Sequence, residues 1–331
     1  MSEQTEVLRS STFSRDSLRL DVEREMNRIV DFLREGVHER LRRSGAVVGI
    51  SGGIDSSVVL ALCARALGAQ SVRGILLPEK ESSPDSARLA QILADKFGVQ
   101  TILEDISGLL EGAGCYRRRD EALRSLFPEY ASGWKVKITL PGNLLEKNTL
   151  NIFSATVIGP TGETITRRLP PAILNQIVAA SNFKQRARMA MLYYHAERLN
   201  YAVVGTAQKN EHGLGFFVKY GDGGVDISPI LHLYKSQVYQ LAKYLGIPEE
   251  IQRRTPTTDT YSAGSTQEEF FFRVPFDILD TIWLGLERGI PGTNIAKVLG
   301  LEEVQVEWVT EDIHRKQRTT EYLRRMPLQI E

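Results

Sequence analysis

Val47-Val48-Gly49-Ile50-Ser51-Gly52-Gly53-Ile54-Asp55-Ser56-Ser57 begins as a short apolar run and passes through two glycines. It then enters an apolar helical stretch, Val58 to Leu67, which stops at Gly68. Strand, tight turn and helix in that order aim free backbone N–H groups and the positive end of a helix dipole at one point, which suits a phosphate. Gly52 and Gly53 can take positive φ and let an anion approach the backbone closely. Ser51, Ser56 and Ser57 add hydroxyl donors. Asp55 is the odd member. A carboxylate among phosphate donors is unfavourable unless a metal ion bridges the two, so Asp55 reads as a magnesium ligand. The bland alternative is a Gly/Ser-rich turn that binds nothing.

Working outward, the chain of 331 residues suffices for one large α/β domain or two ordinary ones. Lys plus Arg equals Asp plus Glu at 41 each, so the net balance points to neither nucleic acid nor an acidic membrane surface. Two cysteines, Cys63 and Cys115, cannot make a disulfide framework or a thiolate zinc site. No apolar run approaches the roughly 18 residues of a spanning helix. Residues 1–17 carry no signal-peptide pattern and read as a flexible tail on a cytoplasmic protein. Residues 18–331 read as a single domain.

Leu18, Val22, Met26, Ile29, Val37 and Leu41 recur at helical steps, predicting an amphipathic helix over about 18–43. Apolar strands at 46–50, 72–77, 99–103 and 201–205 alternate with helical stretches. One of these opens at Ser83-Pro84, and a long one runs from Pro170-Pro171 to about Leu199. This is the pattern of a doubly wound parallel sheet with helices on both faces. Ligands bind beyond the carboxyl ends of such strands, which gathers 51–57, 78–83 and 206–211 around one crevice. An insert at about 116–170 interrupts the repeat with alternating stretches, 135–140 and part of 150–168, and reads as a small β element. It could be surface decoration, a dimer contact or a substrate-shaping lid. Arg117-Arg118-Arg119 reads as surface charge. Lys184, Arg186, Arg188 and Arg198 fit either ligand contacts or a solvated face.

A second chemical segment runs from Val203 through Thr206 and Glu211 to Lys219-Tyr220-Gly221-Asp222-Gly223-Gly224-Val225-Asp226. Its glycines and polar groups beside Phe216 and Phe217 suit a polar ligand with a flat ring, or a long surface turn. Lys235 opens the helix at about 233–245, where the dipole disfavours a cation, as for a lysine reaching a phosphate or one merely exposed. Residues 301–325 read as one helix.

Ser51–Ser57 lacks the lysine and spacing of a Walker A loop and resembles the S-G-G-x-D-S-S loop of the N-type ATP pyrophosphatases. Together with Asn182-x-x-x-Arg186-x-Arg188-Met189, Val204-Gly205-Thr206…Glu211, Lys219-Tyr220-Gly221-Asp222-Gly223-Gly224-x-Asp226, Lys235 and Pro256-Thr257-x-Asp259, it looks like the NAD synthetases. The resemblance implies an adenine nucleotide alpha hydrolase-like, Rossmann-like homodimer. Its reaction would amidate nicotinic acid adenine dinucleotide to NAD with ATP, Mg2+ and ammonia, and a separate glutaminase is a candidate ammonia source. By position, Ser51, Gly52, Gly53, Ser56, Ser57, Arg188, Thr206, Lys235 and Thr257 would contact ATP. Asp55 and Glu211 would hold magnesium. Arg186, Phe216, Lys219, Asp226, Glu269 and His314 would line the dinucleotide site, partly across the dimer. The insert and the Phe-rich stretch 267–276 depart from the short members of the family, both on the acid-substrate side.

The implied chemistry is adenylation. A carboxylate oxygen attacks the α-phosphorus, pyrophosphate leaves, and ammonia displaces AMP. The first step needs charge neutralisation and in-line positioning from Asp55, Lys235 and the loop. The second needs neutral ammonia and exclusion of water, with loops 207–226 and 255–270 as lids and Asp222 as a proton acceptor. The competing expectations are a related ATP pyrophosphatase acting on a different acid, and a nucleotide-binding dimer without catalysis.

Overall fold

The computed structural model describes residues 13–257 and 261–330. Helix α1 (Val22–Arg34) starts where Asp21 accepts the Arg24 N–H, and it ends in a wider turn, Glu35–Arg40. Strand β1 (Ala46–Gly49) leads through Ser51–Gly53 into α2 (Ile54–Leu67). Then come β2 (Val72–Leu76), α3 (Pro84–Phe97), β3 (Gln100–Leu103), α4 (Ser107–Gly112) and α5 (Cys115–Leu126). A separate three-stranded sheet, β4 (Lys135–Thr139), β5 (Ser154–Ile158) and β6 (Thr164–Arg168), precedes the 29-residue α6 (Pro171–Leu199) and β7 (Ala202–Val204). The remainder is helical: α7 (Lys209–Leu214), α8 (Lys235–Tyr244), α9 (Glu249–Arg253), a turn at Glu268–Phe272, α10 (Phe276–Glu287), α11 (Gly292–Leu299), α12 (Glu303–Thr319) and α13 (Glu321–Arg324).

The main sheet is parallel in the order β3-β2-β1-β7, with Ala46 opposite Val72 on one side and Ala202 on the other. After β1 the chain builds outward to β3, then returns through α6 to place β7 on the opposite side of β1. The connections leaving β1 and β7 therefore diverge, and a crevice opens between them. Alternation along β1 assigns the faces. Ala46 and Val48 pack with Met26, Leu33, Val58 and Leu241 from α1, α2 and α8. Val47 packs with Leu110, Tyr116 and Ala187 from α4, α5 and α6. Both faces are covered, as the unbroken apolar strands require. The strand and helix bounds fall within a few residues of the sequence expectation.

Three expectations change. Of residues 1–17, the first twelve lie outside the described residues, but Phe13 is buried against Gly285 of α10 and Arg15–Leu18 form a 3-10 turn. Arg119 is not surface charge: it is buried, 2.5 Å from Glu81 and 2.8 Å from Asp120. Lys184 is likewise not solvated. It is buried 2.9 Å from Glu79 and 2.7 Å from Glu81, and Tyr116 donates to Glu79. These charges lock the connection after β2 against α5 and α6. Among the described residues no helix is long and apolar enough to cross a membrane.

Candidate active site

The turn after β1 holds its shape through Gly52, whose φ is +70° and where a Cβ would come 2.8 Å from the Ser86 carbonyl. Gly53 precedes α2, and its carbonyl accepts from the hydroxyls of Ser56 (3.0 Å) and Ser57 (2.8 Å). Ser57 is thus buried and spent on the turn, and Gly52 supports the loop from behind. Ser51, Gly53 and Ser56 face the crevice.

Two adjoining cavities meet at Ser51, Ser56, Thr206, Asp222 and Thr257. The first is lined by apolar side chains of the sheet and α6 (Ile75, Leu77, Met189, Leu192) with Arg188, whose Nε donates to the Leu77 carbonyl at 3.2 Å. Its walls suit a flat, largely apolar base. The second, of about 460 Å3, is within the usual size of small-ligand sites. It contains the charges: Asp55, Glu211, Lys235 and Arg254.

Lys235 and Asp55 come from the first turns of α8 and α2. The Lys235 ammonium lies 2.5 Å from Asp55 Oδ2, and the lysine is fully buried. Its backbone N–H donates to Asn210 Oδ1, while Asn210 and the Ser236 N–H both donate to Asp280, which fixes the start of α8 against α7 and α10. Burial alone would lower the lysine pKa; the Asp55 and Glu211 carboxylates outweigh it and raise it. Burial and the neighbouring Asp55 carboxylate push Glu211 up to about 8, against the pull of Lys235. Asp55 Oδ1 is buried with no hydrogen-bond partner. One lysine therefore faces two carboxylates, and an acceptor oxygen is left over.

That arrangement fits a divalent cation. Among the described residues no cluster of three or more His, Cys, Asp or Glu side chains stands ready for a metal. Magnesium commonly takes only one or two carboxylates and completes its shell with phosphate oxygens and water.

Of the other expected residues, Thr206, Thr257, Arg188, Asp222 and Phe216 line the cavities. Asp222 Oδ1 accepts the Val218 N–H at 2.7 Å, closing the turn at 218–222, and Tyr220 takes a left-handed φ of 58°. Arg186, Lys219, Asp226, Glu269 and His314 line neither cavity within their own chain. Arg186 donates to the Lys219 carbonyl, and Lys219 caps the carbonyls of Tyr322 and Arg325. Asp226 accepts from Tyr193 and the Val203 N–H. Glu269 accepts the Thr266 N–H, and His314 is exposed on α12. Asp259 lies outside the described residues.

The cavity also contains residues the sequence reading did not select. The Arg254 guanidinium donates to Ser86 Oγ at 2.9 Å and reaches the Ser51 and Gly52 carbonyls at 3.4 Å, so a cation covers the loop that lacks a Walker lysine. Tyr322 and Leu323 enter because the expected long helix breaks at Thr320. Phe153, Tyr261, Gln267, Phe270 and Phe271 form the far wall. The Arg254 signal was present as a cation in a loop near Thr257; the break at Thr320 carries no Gly or Pro to announce it.

The family model described as NAD synthase matches residues 25–121 and 143–327. An NH(3)-dependent NAD(+) synthetase of Mesorhizobium japonicum is 51% identical over 311 residues, covering 94% of this chain and 97% of the relative. Another from Thermotoga maritima is 37% identical over 260 residues, covering 78% and 86%. The solved structure of an NH3-dependent NAD synthetase from Campylobacter jejuni superposes with a TM-score of 0.59 at 24% identity, covering 94% of this chain and all of that one, and so shares the fold. On the extent of these matches, this chain belongs to the NAD synthase family.

Proposed function

We propose that the chain is a C–N bond-forming ligase that amidates nicotinic acid adenine dinucleotide to NAD, using ATP and ammonia and releasing AMP and pyrophosphate. The observation that carries this reading is the buried Asp55–Lys235 pair beside Glu211, at the phosphate-binding turn of a family member. The first cavity takes the base of ATP between the sheet and Met189. The triphosphate then crosses Ser51–Ser56 into the second cavity. Lys235, Arg254 and the loop N–H groups neutralise it and hold the α-phosphorus in line with the acid. Asp55 and Glu211 are the residues that would hold Mg2+, which would supply stabilisation of the phosphate charge.

In the second step ammonia attacks the acyl carbon, the C–O bond to AMP breaks, and the nitrogen loses a proton. Asp222, at the rim of this cavity, is pushed up to about 6 by the protein packed around it, so it can accept that proton near neutral pH. Ammonia is the nitrogen donor in this reading, taken free or from a separate glutaminase. As a cytoplasmic homodimer, the chain would bring Arg186, Lys219, Asp226, Glu269 and His314 of one protomer toward the dinucleotide held by the other. Incubation with ATP, Mg2+, ammonium and nicotinic acid adenine dinucleotide should give NAD and AMP in equal amounts. An ATP-binding protein that forms no NAD contradicts the reading.

A further inference from the structure

Residues 122–142, which the family match skips, belong to a layer built onto the wall of the second cavity. The β4–β6 sheet has its own core, in which Val136, Ile138, Ala155 and Val157 pack with Phe127, Ile177 and Tyr261. Its outer strand joins segment 261–273 through main-chain bonds: Ala263 N–H to the Val136 carbonyl and Leu140 N–H to the Glu269 carbonyl. Arg273 fastens the same two segments. It is buried, and its guanidinium donates to the carbonyls of Pro141 and Thr149 and to Asn151 Oδ1. Segment 261–273 therefore stands docked on β4 and the loop that follows it.

The consequence falls on the cavity. Phe270 and Phe271 line it, and Phe270 is the hub of an aromatic group. Its ring centroid lies 6.0 Å from Phe153, 5.9 Å from Phe216 and 5.8 Å from Tyr261. Phe153 immediately precedes β5, and it too faces the cavity. Gln267, one turn before Phe270, donates to Glu211 at 3.3 Å, so this aromatic wall begins beside the charged centre. The reacting carboxylate of a pyridine carboxylic acid is attached directly to its ring. When the carboxylate sits at that centre, the ring must lie against the nearest wall.

We infer that the β4–β6 sheet is a fixed wall of the acid-substrate site, and that Phe153 is a specificity-determining residue recognising the aromatic ring of the acid. The inference rests on the reading that the cavity beside Glu211 takes the acid. Tilted ring contacts of this kind favour a flat partner over an aliphatic one. The rigidity of the wall means that the ring site is formed before the substrate arrives.

The test is steady-state kinetics of Phe153→Leu and Phe153→Tyr in the full chain. Phe153→Leu keeps most of the packing volume but loses the flat face. It should raise KM for nicotinic acid adenine dinucleotide roughly tenfold with KM for ATP unchanged. Phe153→Tyr should restore the wild-type value. A dinucleotide KM within twofold of wild type in Phe153→Leu overturns the inference, as does an equal rise in both KM values. If wild-type protein itself makes no NAD, the underlying functional reading fails instead, which the wild-type control reports separately.

Discussion

Lys235 Nζ meets Asp55 Oδ2 at 2.5 Å across 180 residues of sequence, joining the first turns of two helices at the floor of the cavity. The pair balances buried charge that neither member could offset by itself. Replacing Lys235 with Met leaves Asp55 and Glu211 facing each other, and replacing Asp55 with Asn strips the buried ammonium of its hydrogen-bonded partner and leaves it only Glu211. Each single variant should lose on the order of 3 kcal/mol of stability by denaturant unfolding, and the double variant less than the sum of the two. Each should also lower NAD formation by at least about 100-fold.

Glu211 predicts a pH dependence. In metal-free protein its carboxyl titrates near 8 when folded and near the ordinary 4.5 when unfolded. Between those values the folded chain holds a proton that the unfolded chain has released, so stability falls as pH rises through the window. Glu211→Gln should flatten that slope relative to wild type. Magnesium should restore stability at the alkaline end, where the carboxylate is free to bind it. Unfolding midpoints at pH 5.5, 7 and 8.5, with and without Mg2+, measure both effects.

Arg254 covers the Ser51–Gly53 turn on the side toward the second cavity, where the leaving pyrophosphate would collect. Arg254→Gln should raise KM for ATP about tenfold and weaken inhibition by pyrophosphate to a similar degree. Inhibition by AMP, which lacks the departing phosphates, should stay within twofold. Equal weakening of AMP would place the arginine elsewhere along the nucleotide.

Lys184 tests the buried ion network beneath the first cavity. Lys184→Met removes the cation shared by Glu79 and Glu81, at 2.9 and 2.7 Å. It should cost about 3–5 kcal/mol of stability. The Glu81 carboxyl, which burial would raise but Arg119 and Lys184 hold low, should titrate higher in the variant.

The residues that were legible in sequence and those that were not differ in a physical way. Ser51–Ser57 and the four apolar strands could be read because turn chemistry and burial are local properties. Their combination dictated the parallel sheet and the place of the crevice. Asp55 stands out as a carboxylate among phosphate donors, whereas Glu211 and the nucleotide role of Lys235 rest on the resemblance to the NAD synthetases. Arg119 and Lys184 looked like solvated charge because their partners, Glu79 and Glu81, lie on a different connection and meet them only after folding. Tyr322 and Leu323 were hidden by the unannounced break at Thr320 in what read as one helix. The alternating stretches at 135–140 and 150–168 read as a β element and form the β4–β6 sheet, while Cys115–Leu126, at the start of the expected insert, is a helix. The docking of segment 261–273 on β4 depends on main-chain pairing and on Arg273, neither of which has a sequence period.

The central claim is that the acid is activated through its own oxygen as an acyl-adenylate, and oxygen tracing tests it most directly. Nicotinic acid adenine dinucleotide labelled with 18O in both carboxylate oxygens is turned over with ATP, Mg2+ and ammonium, and the products are weighed by mass spectrometry. Attack on the α-phosphorus predicts one labelled oxygen in AMP and one in the amide of NAD. Unlabelled AMP, or label in pyrophosphate, would contradict the account.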